Sequence, residues 1–144
     1  MRFMMLMIPK GYEKAAADAM PSPEAVAAMS KFNEALQNAG VLLALDGLHP
    51  SQKGARITFS GGKATVQDGP FTEAKELIGG YWMIDVKSKD EAVAWALRCP
   101  AVEGDFAIEV RQVQEFEDFP PEVQAAAAGE TALRDELQKS ASRR

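Results

Sequence analysis

The order of apolar runs and turn signals is what most constrains this chain. Two stretches each spell strand, helix, strand, and a hairpin pattern separates them. The first stretch begins with Arg2 to Ile8, an apolar run closed by Pro9 and Gly11 and too short for a helix, so a strand buried on both faces is expected. A helix follows in "PSPEAVAAMSKFNEALQNAG": Ser22 can cap it, Pro23 suits its first position, Glu24 suits its positive end and Gly40 stops it. Val26, Met29, Phe32, Leu36 and Ala39 recur at steps of three and four, forming one apolar stripe. "VLLALDG", Val41 to Gly47, closes the unit as a second strand.

In the middle, Ile57 and Phe59 alternate with Arg56 and Thr58, the chain turns at Ser60 to Lys63, and Ala64 and Val66 alternate with Thr65 and Gln67. That pattern predicts a hairpin. The second unit runs from a strand at Tyr81 to Val86, through a helix capped by Ser88 with Glu91 and ended by Pro100, to a strand at Phe106 to Val113. Ala92, Val93, Ala96 and Leu97 are expected to face the core. Two such units imply an α+β ferredoxin-like sandwich, with both helices on one side of an antiparallel sheet. "FMMLMI" and "YWMI" are apolar on both sides, so the other sheet face needs a cover, and a second copy of the chain is the simplest. A homodimer with facing sheets is expected.

At 144 residues one domain is expected, spanning 1–113, with 114–144 as an Ala-rich helical or flexible tail interrupted at Gly129. The net charge of −5, with no cluster of Lys and Arg, argues against direct nucleic-acid binding. No apolar run approaches membrane-spanning length, and no cleavage-site pattern follows the first strand, so a soluble cytoplasmic protein is expected. Cys99 stands alone in "RCP", which leaves no intrachain disulfide and reads as a structural thiol. One His and one Cys supply no zinc set, the carboxylates lack calcium-loop spacing, and "SGGK" is too short for a phosphate loop. No metal or cofactor is expected.

The residues able to carry chemistry gather around "DGPFTEAKELIGGYWMIDV". Asp68 is either a turn former before Gly69 and Pro70, or a carboxylate at a pocket mouth shielded by Phe71 and Tyr81 and able to act as acid or base. His49 in "GLHPS" carries the side chain that ordinarily titrates near neutral pH, which makes it the natural partner of Asp68. Lys75 either belongs to a solvated face with Glu73 and Glu76 or neutralises an anionic ligand. Arg56 and Arg111 lie on strands and need carboxylate partners, from the chain or from a ligand. Glu109 is the expected partner of Arg111, two residues back on the same strand face. Gly79 and Gly80 imply backbone freedom or close approach by another chain.

"DGPFTEAKELIGGYWMIDVKSKDEAVAWALRCP", the later "IEVRQV" and "SPEAVAAMSKFNEALQNAGVLLALDGLHPS" together resemble the YCII-related proteins, in particular the subgroup marked by the Asp-Gly-Pro-Phe motif at Asp68 to Phe71. The resemblance spans about residues 1–113. It implies a ferredoxin-like fold in a dimeric α/β-barrel-like assembly, and small-molecule acid/base chemistry using a His and an Asp in some relatives. It also implies association with extracytoplasmic-function sigma factors. In the wider family that His is associated with the first helix; here residues 22–39 contain none, and the sole histidine is His49. Three readings follow. One is an acid/base enzyme of lyase or isomerase type using Asp68 and His49 in a pocket near the dimer interface, with Arg56, Phe71, Lys75, Tyr81 and Arg111 binding ligand. The others are a ligand-binding or regulatory module without turnover, and a protein-interaction module acting with a sigma factor.

Overall fold

The structure, a computed structural model, describes residues 1–71 and 76–144. Contacts within the chain define two units, Met1–Gln112 and Val113–Arg144. The first unit contains six strands: β1 (Arg2–Pro9), β2 (Leu42–Gly47), β3 (Ala55–Ser60), β4 (Lys63–Asp68), β5 (Gly80–Asp85) and β6 (Phe106–Gln112). Helix α1 (Pro23–Asn38) joins β1 to β2, and α2 (Lys89–Ala96) joins β5 to β6. Four strands form one antiparallel sheet in the order β2-β5-β1-β6. The strands joined by α1 (β1 and β2) and those joined by α2 (β5 and β6) are thus each separated in space by a strand of the other pair, which is the ferredoxin-like arrangement.

Helix α1 starts where its cap predicts, with the Ala25 N–H donating to Ser22 Oγ at 3.2 Å and Pro23 at the first position. It ends before Gly40, whose φ of 73° suits a residue without Cβ. In α2 the Glu91 N–H donates to Ser88 Oγ, while the Glu91 carboxylate accepts from the Lys87 N–H at 2.9 Å. The reciprocal bond of a capping box therefore falls one residue before the cap.

The core forms where alternate strand residues meet these helices. Phe3 and Met5 from β1, Trp82 and Ile84 from β5, Phe32 and Leu36 from α1 and Ala92 from α2 are all buried. Phe32 meets the Trp82 ring edge-on, with centroids 5.5 Å apart and planes at 88°. The buried face of α2 differs from expectation. Ala92, Trp95, Ala96 and Cys99 pack on the core, while Val93 and Leu97 are exposed, Leu97 at 81%. Steps of three and four from Ala92 reach Trp95, Ala96 and Cys99, whereas Val93 lies a full 100° further round the helix and Leu97 already sits at the C-cap.

The other sheet face carries Met4, Leu6, Tyr81 and Met83, each half-buried in the single chain. Strand β1 therefore alternates between a fully covered and a partly covered face. Glu109 and Arg111 pair as expected at 3.5 Å, in an exposed geometry that contributes little to stability.

The hairpin forms its own two-stranded sheet, in the expected register of Ile57 opposite Val66 and Phe59 opposite Ala64. Its apolar face is exposed, Phe59 at 77%. At its root, the would-be Cβ of Gly69 falls 1.6 Å from the carbonyl oxygen of Ser51, so the elbow after β4 lies directly on the loop after His49. The close approach inferred at Gly80 comes from the chain's own β2: a Cβ there would lie 2.9 Å from the Asp46 carbonyl oxygen.

The second unit holds α3 (Pro121–Ala126) and α4 (Ala128–Ser142). Its break falls at Ala127 rather than Gly129, which sits in the first turn of α4 and is followed by good helix formers. Glu130 and Arg134 pair at 2.7 Å across one turn of α4. Among the described residues, no helix is long and apolar enough to cross a membrane.

Candidate functional site

A cavity of about 670 Å³ opens at one end of the sheet, within the range that holds small-molecule ligands. Its wall combines the ends of β1 and β2, the starts of β5 and β6, the first half of α1, and the loops around residues 12–21 and 100–105. The surface is mostly apolar, contributed by side chains such as Met7, Met29, Leu45, Trp82 and Phe106. Val26 is exposed on α1 although it continues the apolar stripe, because it faces this cavity instead of the core.

Polar groups reach the cavity at a few fixed points. Trp82 Nε1 donates to Asn33 Oδ1 at 2.8 Å, holding the indole against α1. On the other sheet face, Tyr81 donates its hydroxyl to Asp46 Oδ2 at 2.8 Å, across the β2-β5 pair in which the two residues are directly opposed. His49 belongs to a loop tied down at the residue before it: the Leu48 N–H donates to the Gly79 carbonyl at 2.8 Å, and the Leu48 carbonyl accepts from the Tyr12 hydroxyl. Pro50, directly after it, is buried. The histidine is exposed but its backbone is anchored, so it lines the cavity from a fixed base.

The Asp46 carboxylate, which stabilises the protonated phenol by accepting its hydrogen bond, raises the pKa of Tyr81 above the ordinary tyrosine value; desolvation and the negative charge of Asp46 add to this. Replacing Asp46 by Asn removes the charge and keeps an acceptor oxygen. The phenol is then expected to ionise at lower pH, and an ultraviolet titration of phenolate formation should show one tyrosine moving down while the other, Tyr12, raised by burial, stays. Two unmoved tyrosines would show that the Asp46 contact does not control Tyr81. Burial pushes the Cys99 thiol up to about 11, which keeps it protonated at neutral pH and fits a structural thiol.

The expected site residues fall into separate groups. His49 and Tyr81 line the cavity; Asp68, Arg56, Phe71 and Arg111 do not. At the hairpin root, Arg56 stacks on Phe71 with its guanidinium carbon 4.4 Å from the ring centroid, and the Phe71 N–H donates to Ser51 Oγ at 3.1 Å. Asp68, exposed, ends β4 opposite Ala55. The elbow and the His49 loop meet through Ser51, so the two segments are neighbours although only His49 lines the cavity. Arg111 stands on the open sheet face with Glu109. Lys75 lies outside the described residues. Among the described residues, no group of three or more His, Cys, Asp or Glu side chains is placed to hold a metal ion.

Sequence reasoning missed Asn33, Asp46, Glu103 and Asp105, all of which line the cavity. Asp46 sits near the end of the expected second strand, and Asn33 among the polar positions of the expected first helix, next to Phe32. Glu103 and Asp105 lie in a loop with no pattern of its own, and only the fold brings them to the wall.

Comparison with known proteins gives the same picture of kinship. The chain is 41% identical over 58 residues to an uncharacterized protein, R00369, of Rhizobium meliloti (strain 1021); the match covers 40% of this chain and 47% of that protein. The YCII-related domain matches residues 1–117, most of the chain, and the chain belongs to that family.

Proposed function

We propose that this protein binds a small, predominantly apolar metabolite in the cavity at the sheet end, with His49 as the acid/base group in chemistry of lyase or isomerase type. The observation that carries this reading is the coincidence of a large apolar cavity with an anchored His49 in its wall. Acid/base chemistry needs a second group. The candidates are Asp46, at the same end of the sheet, and Asp68, whose segment abuts the His49 loop through Ser51.

A thermal-shift screen of the full chain against small metabolites tests this. A ligand at a hundredfold over its dissociation constant stabilises by roughly 2.7 kcal/mol, about 10 °C for a unit of this size. A hit is expected to weaken at least tenfold in His49→Ala. Loss in Asp68→Asn as well assigns the second role to Asp68, and loss in Asp46→Asn alone assigns it to Asp46. Turnover of a bound compound unchanged in His49→Ala would reject the acid/base role.

The partly covered sheet face bearing Met4, Leu6 and Met83 is the surface this reading gives to a second copy of the chain. Light scattering should then exceed the 15.6 kDa of one chain. A mass of one chain at every concentration would remove the homodimer.

A further inference from the structure

Asn33 holds a donor group that the chain leaves unused. Trp82 Nε1 can only donate, so the Asn33 atom that accepts from it at 2.8 Å is fixed as the amide oxygen Oδ1. The amide nitrogen Nδ2 then presents two hydrogens, and neither meets an acceptor among the described residues. Nor is Nδ2 sealed off: Asn33 is half-buried, and the buried side-chain atom left without a partner among the described residues is Glu13 Oε2 instead. Asn33 lines the cavity, so the open space beside Nδ2 is the cavity itself. Ser30, one turn earlier on the same face of α1, lines it too, and its hydroxyl is equally uncommitted among the described residues. The bond from the buried Trp82 holds the amide in place, so the donors are set before any ligand arrives.

We infer that the ligand of this cavity carries an uncharged carbonyl oxygen, that of a ketone, ester or amide, and that Asn33 Nδ2 is the donor that selects it. The inference rests on the cavity being the ligand site, as proposed above, and adds the functional group. A ligand that fills the apolar space between Met29, Trp82 and Phe106 displaces water from Nδ2. Without an acceptor at that point the donors are left unpaired, and a site built to hydrogen-bond one group rejects analogues that lack it. A carboxylate fits less well than a carbonyl, because among the described residues the wall carries no Lys or Arg to balance its charge. When a proton leaves the carbon beside a carbonyl, the electron pair it leaves behind moves onto the oxygen, where a donor already in place stabilises the charge. Recognition by Asn33 therefore also serves the acid/base reading of His49.

A matched series titrated calorimetrically into the full chain tests the donor separately from the cavity: phenylbutanone, which only accepts hydrogen bonds, phenylbutanol, which accepts and donates, and phenylbutylamine, whose ammonium only donates. Asn33→Asp keeps an acceptor for Trp82 and puts a carboxylate oxygen in the place of Nδ2. In that variant the ketone is expected to bind on the order of tenfold more weakly and the amine several-fold more tightly. The alcohol should bind nearly as before, because its hydroxyl can turn to donate, and that value also verifies folding of the variant. A ketone bound equally by both proteins would overturn the carbonyl assignment. Val26→Phe then tests the cavity by itself, since Val26 is exposed in its wall. Loss of ketone binding in Val26→Phe would leave the cavity as the ligand site, and unchanged binding would remove the cavity reading as well. Failure of all three compounds to bind the unaltered chain at millimolar concentration would overturn the carbonyl assignment and the cavity reading together.

Discussion

Gly69→Ala is expected to destabilise the protein by about 3 kcal/mol, near the upper end of ordinary overpacking costs, and to lower the melting temperature by roughly 10 °C. The new methyl would lie 1.6 Å from the Ser51 carbonyl oxygen and 2.4 Å from its carbon, both backbone atoms that no rotamer change can move. The elbow must lift from the loop, which strains the bonds from Gly69 N–H to the Gly54 carbonyl and from Phe71 N–H to Ser51 Oγ. Because that loop carries His49, ligand binding should weaken with stability. Gly61→Ala is the control: nothing lies within 4 Å of its Cβ position, and the penalty is confined to its φ of 56°, about 1 kcal/mol. Equal melting temperatures for the two variants would mean that the elbow does not rest on Ser51.

Leu36→Ala is expected to cost about 3 kcal/mol, since its side chain is completely buried between α1 and the sheet and its removal leaves a cavity. Leu97→Ala, at a leucine 81% exposed just past α2, should change stability by less than about 0.5 kcal/mol. Chemical denaturation of both variants measures the difference. Similar losses would place Leu97 in the core and revise the rotation of α2.

The elements were legible in the sequence because their signals are local. Ser22, Pro23 and Gly40 bound α1 within a residue, and the hairpin register follows from alternation about Gly61 and Gly62. Which side of α2 turns inward was not legible: Ala92, Val93, Ala96 and Leu97 form as plausible an apolar set as Ala92, Trp95, Ala96 and Cys99, and only contact with the sheet chooses between them. The site was legible in part. His49 and Tyr81 stood out for their chemistry, but the cavity they line is assembled from positions between Met7 and Phe106, and no short pattern encodes such an assembly. Asp68, Arg56 and Phe71 belong to one conspicuous stretch and its neighbouring hairpin. The fold collects them at the hairpin root, with Ser51 as the link to His49.

The central claim is that the sheet-end cavity takes a small molecule, and the methionines report on it directly. Met7, Met20 and Met29 line the cavity, while Met4 and Met83 lie on the other sheet face. Methyl resonances of isotopically labelled methionine, recorded during titration with phenylbutanol or any hit from the screen, should shift at Met7, Met20 and Met29 and stay fixed at Met4 and Met83. Saturable shifts at Met4 and Met83, with the three cavity methionines unmoved, would contradict the account.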